Sequence, residues 1–251
     1  MKDILSQTLI IIPAFNEEAC LSTLLAEIRA AAPASDIVVI NDCSRDRTTA
    51  VARRAGVAVL DLPCNLGVGG AVQTGFRYAL ARGYRYVLRC DGDGQHPPSE
   101  IPKLVAAMQA GQHDLIIGSR FVSENNNSYT STAWRSAGIR GLAYMLSHIC
   151  QARVTDPTSG FQMLNRPLLY CFANSYPVDY PEPESLALLR RQGYSFTEVA
   201  CTFRARQGGR SSIRSWGAFY YLLKVSLALL VDRARTVDPR FARHNTIMED
   251  L

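Results

Sequence analysis

Asp91-Gly92-Asp93 places two carboxylates one residue apart, directly after the apolar run Tyr86-Val87-Leu88. Two carboxylates in a tight turn suit a hard divalent cation such as Mg²⁺ or Mn²⁺, which keeps positions open for phosphate oxygens. Gly92 allows a ligand to approach the backbone, and Gln95 adds a neutral oxygen, so Asp91, Asp93 and Gln95 are the expected metal ligands. Pro13-Ala14-Phe15-Asn16-Glu17 and Asn41-Asp42 likewise follow aliphatic runs. Asp, Asn and Gly are ordinary turn formers, but three such loops at three strand ends make one acidic rim. Arg120, Arg135, Arg204, Arg206 and Arg210 follow later in the chain. A guanidinium recognises phosphate bidentately and is permanently charged, although each of these arginines taken singly reads as a solvated surface residue.

The elements that must position these residues alternate. Leu9-Ile10-Ile11-Ile12 is a continuous aliphatic run, expected of a strand buried on both faces. Asn16-Glu17-Glu18 opens a helix with Leu21, Leu24, Leu25 and Ile28 on one face. Ile37–Ile40 is the next strand, Asp46–Arg54 a helix, Val57–Leu62 a strand, 68–82 a helix entered through Gly67, Gly69 and Gly70, and 86–88 a fourth strand. Strand, loop and helix recurring in this way predict right-handed βαβ units and a mostly parallel sheet flanked by helices, with ligands beyond the carboxyl ends of the strands. The second half is less regular: a helix over 99–110, a strand over 115–117, a polar loop from Ser123 to Thr132, a turn at Pro157–Gly160, a helix over 184–192 and a strand over Ser195–Phe203.

The 251 residues are 47% hydrophobic and 20% charged, which excludes disorder and low complexity. The net charge of +5 permits a phosphate-rich ligand or an anionic surface without demanding nucleic acid. Seven cysteines without a C-x-x-C spacing argue against zinc and disulfides and for a reducing, cytosolic compartment. No secretory leader is read before Pro13. Ser215–Val231 carries Lys224 as its one charge; as a helix it is about 26 Å long, at the lower limit for a bilayer span. Its basic flanks and clustered aromatics fit an interfacial helix on an anionic leaflet, with packing on the domain or in a dimer as the alternative.

Four ordered blocks carry a resemblance: Pro13-Ala14-Phe15-Asn16-Glu17-Glu18; Asn41-Asp42-Cys43-Ser44-Arg45-Asp46-Arg47-Thr48; Asn65-Leu66-Gly67-x-Gly69-Gly70-Ala71; and Asp91-x-Asp93-Gly94-Gln95-His96-Pro97-Pro98. Together they resemble the family 2 glycosyltransferases, and within them the polyprenyl-phosphate sugar synthases of the dolichyl-phosphate mannosyltransferase type. Gly118-Ser119-Arg120, Asp156-Pro157-Thr158-Ser159-Gly160-Phe161 and Arg206-x-x-Gly209-x-Ser211 extend the match over about residues 8–213. The resemblance implies an α/β GT-A fold, a nucleotide-sugar donor, Mg²⁺ or Mn²⁺, and inversion at the anomeric carbon. By position, Pro13, Ala14, Phe15 and Glu17 would border the nucleoside, Asp42 would face the base, and Gly67 and Gly69 would let the backbone approach the nucleotide. Asp91 and Gly92 would meet the diphosphate, and Arg120 and Arg206 would line the phosphate site. The family often has Asp-Asp where this chain has Asn41-Asp42, and Lys where it has Ser212.

A polyprenyl phosphate is already anionic and needs positioning more than a base, whereas a sugar hydroxyl needs a general base. Asp179-Tyr180-Pro181-Glu182-Pro183-Glu184 supplies carboxylates for that purpose, Glu184 first, although an acidic residue opening a helix is also favoured by the macrodipole. The expected catalytic residues are Asp93, Arg206 and Glu184. The expected organisation is a catalytic domain over 1–213, an amphipathic helix over 214–235 and a mobile polar tail over 236–251. The expected activity is metal-dependent inverting transfer of a sugar to polyprenyl phosphate at the inner face of the membrane. Transfer to a saccharide hydroxyl in cell-surface polysaccharide synthesis and a non-catalytic scaffold are the alternatives, and a homodimer is open. A dinucleotide-binding reading of Asn65–Gly70 fails because Val72 stands where the fingerprint needs Gly.

Overall fold

The structure, a computed structural model, describes residues 2–122, 133–204, 224–229, 231–232 and 235–248. The first half runs α1 (Lys2–Ser6), β1 (Thr8–Ala14), α2 (Glu18–Ala31), β2 (Asp36–Asn41), α3 (Thr48–Arg54), β3 (Ala58–Asp61), α4 (Gly67–Ala81) and β4 (Tyr86–Arg89). A short 3₁₀ turn at Pro98–Glu100 leads into α5 (Ile101–Gln109), followed by β5 (Leu115–Ser119) and α6 (Ala133–Cys150). Then come β6 (Gln162–Asn165), α7 (Arg166–Asn174), α8 (Pro181–Arg191), β7 (Phe196–Ala200) and α9 (Arg243–Met248). The alternation expected of the first half is present. The helix expected from 184 starts earlier, at Pro181, where a missing N–H costs nothing in the first turn.

Among the described residues the strands form one sheet in the order β3-β2-β1-β4-β6-β5-β7. All pairings are parallel except those of β6, which runs antiparallel to both β4 and β5. Every residue of β1 is buried, as a strand apolar at successive positions requires. Leu9 and Ile11 face a core shared with Phe76 of α4 and Phe172 of α7, while Ile10 and Ile12 face a second core with Leu21 and Leu25 of α2 and Leu104 of α5. Gly75 lets α4 lie close to the sheet: a Cβ there would sit 3.1 Å from Cδ1 of both Ile11 and Ile40.

The C-terminal region differs from its expectation. Ala242 is buried, and Phe241 packs against Tyr170 with ring centroids 6.1 Å apart. Arg243 donates from Nε to Asp114 at 2.9 Å. The physical reason is Asp114, a carboxylate only 1% exposed that also accepts from Asn165 Nδ2 and the Ser195 N–H. A buried charge needs a counter-charge, so residues 236–248 are docked rather than trailing. The helical stretch 224–229 likewise sends Val225 and Leu229 into the core beside Leu142 and Leu146, whereas the expected boundary at 213–214 lies outside the described residues, as does the loop 123–132.

Arg243→Ala is expected to lower stability by about 1–3 kcal/mol, because it strips the cation from a buried carboxylate. Arg240→Ala, which removes an exposed pair with Asp238, should leave the midpoint unchanged. Urea denaturation of the two variants compares them directly.

Candidate functional site

The strand order sets β1, β2 and β4 side by side, so the loops after them meet at one rim. Backbone bonds fix their spacing: the Asp42 N–H donates to Ala14 O at 2.9 Å and the Gly92 N–H to Pro13 O at 3.2 Å. Gly92 suits this approach, since a Cβ there would lie 3.1 Å from Pro13 O. Thus Pro13, Ala14, Asp42 and Gly92 are brought together as expected.

The first two loops are laced to each other. Asn16, at φ 57°, accepts from the Arg45 N–H through Oδ1, and its own N–H donates to Ser44 Oγ. The Glu17 N–H donates to Thr48 Oγ1. The Phe15 ring stands out at 45% exposure, but Glu17 is nearly covered, at 6%, so of these two residues expected at the nucleoside, along with Pro13 and Ala14, Phe15 is the more accessible. Asp42 is also covered: its Oδ1 accepts from the Leu66 N–H at 2.7 Å. Burial raises its pKa against the opposing N–H groups of Leu66 and Gly67. Asp42 therefore anchors the loop into α4, a role that spacing did not indicate. Asn41 donates from Nδ2 to Thr49 Oγ1 and to Asp61 Oδ1; an Asp here would set two carboxylates against each other, which accounts for the departure from Asp-Asp. Gly67 takes φ +76°. The close approach at Gly69 is made by the chain itself, because a Cβ there would fall 2.4 Å from Val178 O.

In the third loop, Gly94 takes φ +73° and the Gln95 N–H donates to Asp93 Oδ1 at 3.0 Å, so Asp93 and Gln95 share one turn. His96 is buried and its Nδ1 accepts the Asp91 N–H at 3.1 Å. An accepting Nδ1 is unprotonated, and burial lowers the pKa of this imidazole. Its ring stacks on Phe161 at 5.2 Å and meets the edge of Phe203 at 5.1 Å. His96 thus clasps the loop as a neutral ring. Arg204 steadies the other side, its N–H on Gln95 O and its guanidinium on Glu27.

Beneath Asp91 lies a residue that the sequence reading passed over. Arg89 is 1% exposed; its Nε donates to Asp91 Oδ1 at 2.9 Å and its Nη2 to Glu182 Oε1 at 2.7 Å. The helix-opening carboxylate brought to the loop is therefore Glu182. Glu184 points elsewhere: burial first, then neighbouring Asp179 and Asp232, raise its pKa beside Arg235. The contacts of α8 separate these two carboxylates, which sequence spacing alone could not.

Arg120 is committed inside the protein. Its Nε and Nη2 bind Asp156, fully buried, at 2.7 and 2.6 Å, and Nη2 also reaches Thr158. Asp156 and Thr155 are in turn held by Glu198, to which both backbone N–H groups donate at 2.9 Å. Arg120 thus clasps the 155–158 turn, a role beyond the phosphate contact expected of it. Arg206, Arg210 and Ser212 lie outside the described residues, and so does the side chain of Arg135.

Among the described residues no three His, Cys, Asp or Glu side chains are grouped to hold a metal. Asp91, Asp93 and Gln95 offer two carboxylates and an amide. That all-oxygen set fits a hard cation which takes its remaining ligands from phosphate and water.

The family model described as glycosyl transferase family 2 matches residues 9–172. An undecaprenyl-phosphate mannosyltransferase of Micrococcus luteus is 32% identical over 212 residues, 81% of this chain and 79% of the relative. A polyprenol monophosphomannose synthase of Mycolicibacterium smegmatis is 29% identical over 253 residues, 92% and 91% of the two chains. Among solved structures, glucosyl-3-phosphoglycerate synthase of Mycobacterium tuberculosis, in complex with Mn²⁺, UDP-glucose and phosphoglyceric acid, superposes with a TM-score of 0.68 at 20% identity. That likeness covers 92% of this chain and 81% of the other and shows a shared fold. With the match running from the first strand through the carboxylate loop to α7, the chain belongs to glycosyl transferase family 2 and is a glycosyltransferase of the GT-A fold.

Proposed function

We propose that the protein transfers a sugar from a nucleoside-diphosphate sugar to the phosphate of a polyprenyl phosphate, with inversion at the anomeric carbon. The observation that carries this reading is the rim itself, where the β1, β2 and β4 loops converge and Asp91, Asp93 and Gln95 share one turn. Phe15 borders the nucleoside on the side of the first loop. Asp91, Asp93 and Gln95 hold Mg²⁺ or Mn²⁺, which when bound supplies charge to offset the departing diphosphate. The acceptor oxygen attacks from the face opposite the diphosphate.

The relatives' names support a lipid-phosphate acceptor. A hydroxyl acceptor needs a general base and a phosphate does not; Glu182 has an oxygen occupied by Arg89, and Glu184, whose pKa burial and Asp179 raise, is the carboxylate to test for that role.

No helix among the described residues is long and apolar enough to cross a membrane. Access to a lipid acceptor is by peripheral contact at the cytoplasmic face, through the outer edge of the segment whose inner face holds Val225 and Leu229. Leu227, at 61% exposure, and Val231, at 50%, form that edge.

Mn²⁺ with the matching nucleoside diphosphate is expected to raise the melting temperature, and EDTA to cancel the shift. Asp93→Ala should cut transfer by about 100-fold or more while the urea midpoint holds; unchanged transfer would remove the metal assignment. Glu184→Gln is expected to keep transfer to polyprenyl phosphate within about threefold, whereas loss of a general base costs about 100-fold or more. Leu227→Glu combined with Val231→Glu should abolish cosedimentation with phosphatidylglycerol vesicles. A shift in sedimentation coefficient with vesicle binding intact would assign this edge to a dimer instead.

A further inference from the structure

Arg89 closes an otherwise apolar strand and is buried to 1%. Burying a guanidinium costs several kcal/mol unless its partners are close and well aligned, so its presence calls for a reason. It binds two carboxylates on separate elements: Asp91 of the third loop through Nε, and Glu182 in the first turn of α8 through Nη2. Burial opposes its charge, but Asp91 and Glu182 outweigh burial and hold it protonated. Asp91 is confined from the opposite side as well. A Cβ on Gly160 would lie 2.5 Å from Asp91 Oδ2 and 2.8 Å from Arg89 Nη2, so the Gly160 backbone closes over both. Arg89 thus fixes Asp91 Oδ1 and the Gly160 backbone borders Oδ2, while the carboxyl stays partly open, at 29% exposure.

We propose that Arg89 is a positioning residue of the donor site, setting Asp91 in the rotamer that presents it to a cation-bound diphosphate and tying that loop to α8 through Glu182. The inference rests on the donor-site reading above. The planar fork of arginine reaches two carboxylates at once, which the single ammonium of lysine does not. A competing explanation makes Arg89 a simple counter-charge, and the two differ in sign. A positive charge beside the loop repels a cation, so a counter-charge would weaken cation-dependent binding and its removal would strengthen it. A positioning residue does the opposite.

The experiment is a calorimetric titration of the full chain with UDP and with GDP, each in Mn²⁺ and in EDTA, for the wild type, Arg89→Met, Arg89→Lys and Gly160→Ala. The quantity read is the gain in affinity conferred by Mn²⁺. That gain is expected to fall by about 10- to 100-fold in Arg89→Met and Gly160→Ala, the range seen when groups supporting a metal ligand are removed. Arg89→Lys should fall in between, and affinity in EDTA should stay within about threefold of wild type in all three. Gly160→Ala removes no charge, so a loss there follows from displacing Asp91 and Arg89 and not from a changed net charge. Should Arg89→Met fail to fold, Arg89→Lys and Gly160→Ala decide the matter. A gain equal to or above wild type in those variants overturns the proposal. A wild type without any Mn²⁺-dependent gain for either nucleotide overturns the donor-site reading itself, and with it the role of Arg89.

Discussion

The carbonyls of Pro13 and Ala14 are the constraint on which the site is built. They end a strand buried at every residue, and one accepts from the loop after β4 while the other accepts from the loop after β2. Loops are ordinarily the least determined parts of a fold; these two are registered to within a hydrogen bond of the same strand. The aliphatic residues of β1 serve function in this indirect sense, since a shift of that strand would move both loops at once.

Around that frame, ion pairs with a fully buried partner stand in three places among the described residues: Arg89 with Asp91 and Glu182, Asp156 with Arg120, and Asp114 with Arg243. Such pairs add little net stability over apolar packing, but losing one partner is costly: about 1–3 kcal/mol where the cation is part exposed, as at Arg243, and about 3–5 kcal/mol where both partners are buried. They therefore fix which segments lie together. Asp156 draws in the end of β5, Asp114 draws in the chain terminus, and Arg89 joins the third loop to α8.

What could be read in the sequence follows the range of the interactions involved. β1 and β2 are continuous aliphatic runs and α4 has helical periodicity after its glycines, so each announces itself locally. The residues of the carboxylate loop were legible for the same reason, being neighbours in one turn. α6 was not, because Gly138, Gly141 and several polar residues dilute a stripe whose buried members are Leu142, Leu146 and Cys150. β6 is four residues with Gln and Asn at its ends, and its pairing with β4 and β5 is purely long-range. Roles set by distant partners were not legible: Arg120 meets Asp156, Asp42 meets Leu66, and Glu182 rather than Glu184 meets Arg89. Arginine and aspartate look alike in sequence whether they serve a ligand or another element of the chain.

The reversed strand β6 has its own consequence. A parallel strand contributes to the rim only the loop that leaves it, whereas an antiparallel one contributes the segment that enters it. The excursion that departs from β5 at Ser119 thus returns at Thr155 to the edge it left. Its two ends are clasped there, Ser119 Oγ to Thr155 Oγ1 at 2.7 Å and Arg120 to Asp156 at 2.6 Å. Closing so long a loop costs little more when it grows, about 0.6 kcal/mol for each doubling. Chain can be added between these clasped ends, away from the face of α6 that buries Leu142, Leu146 and Cys150, without moving the register of any strand, so the stretch beyond β5 can lengthen while the loops of the rim stay fixed.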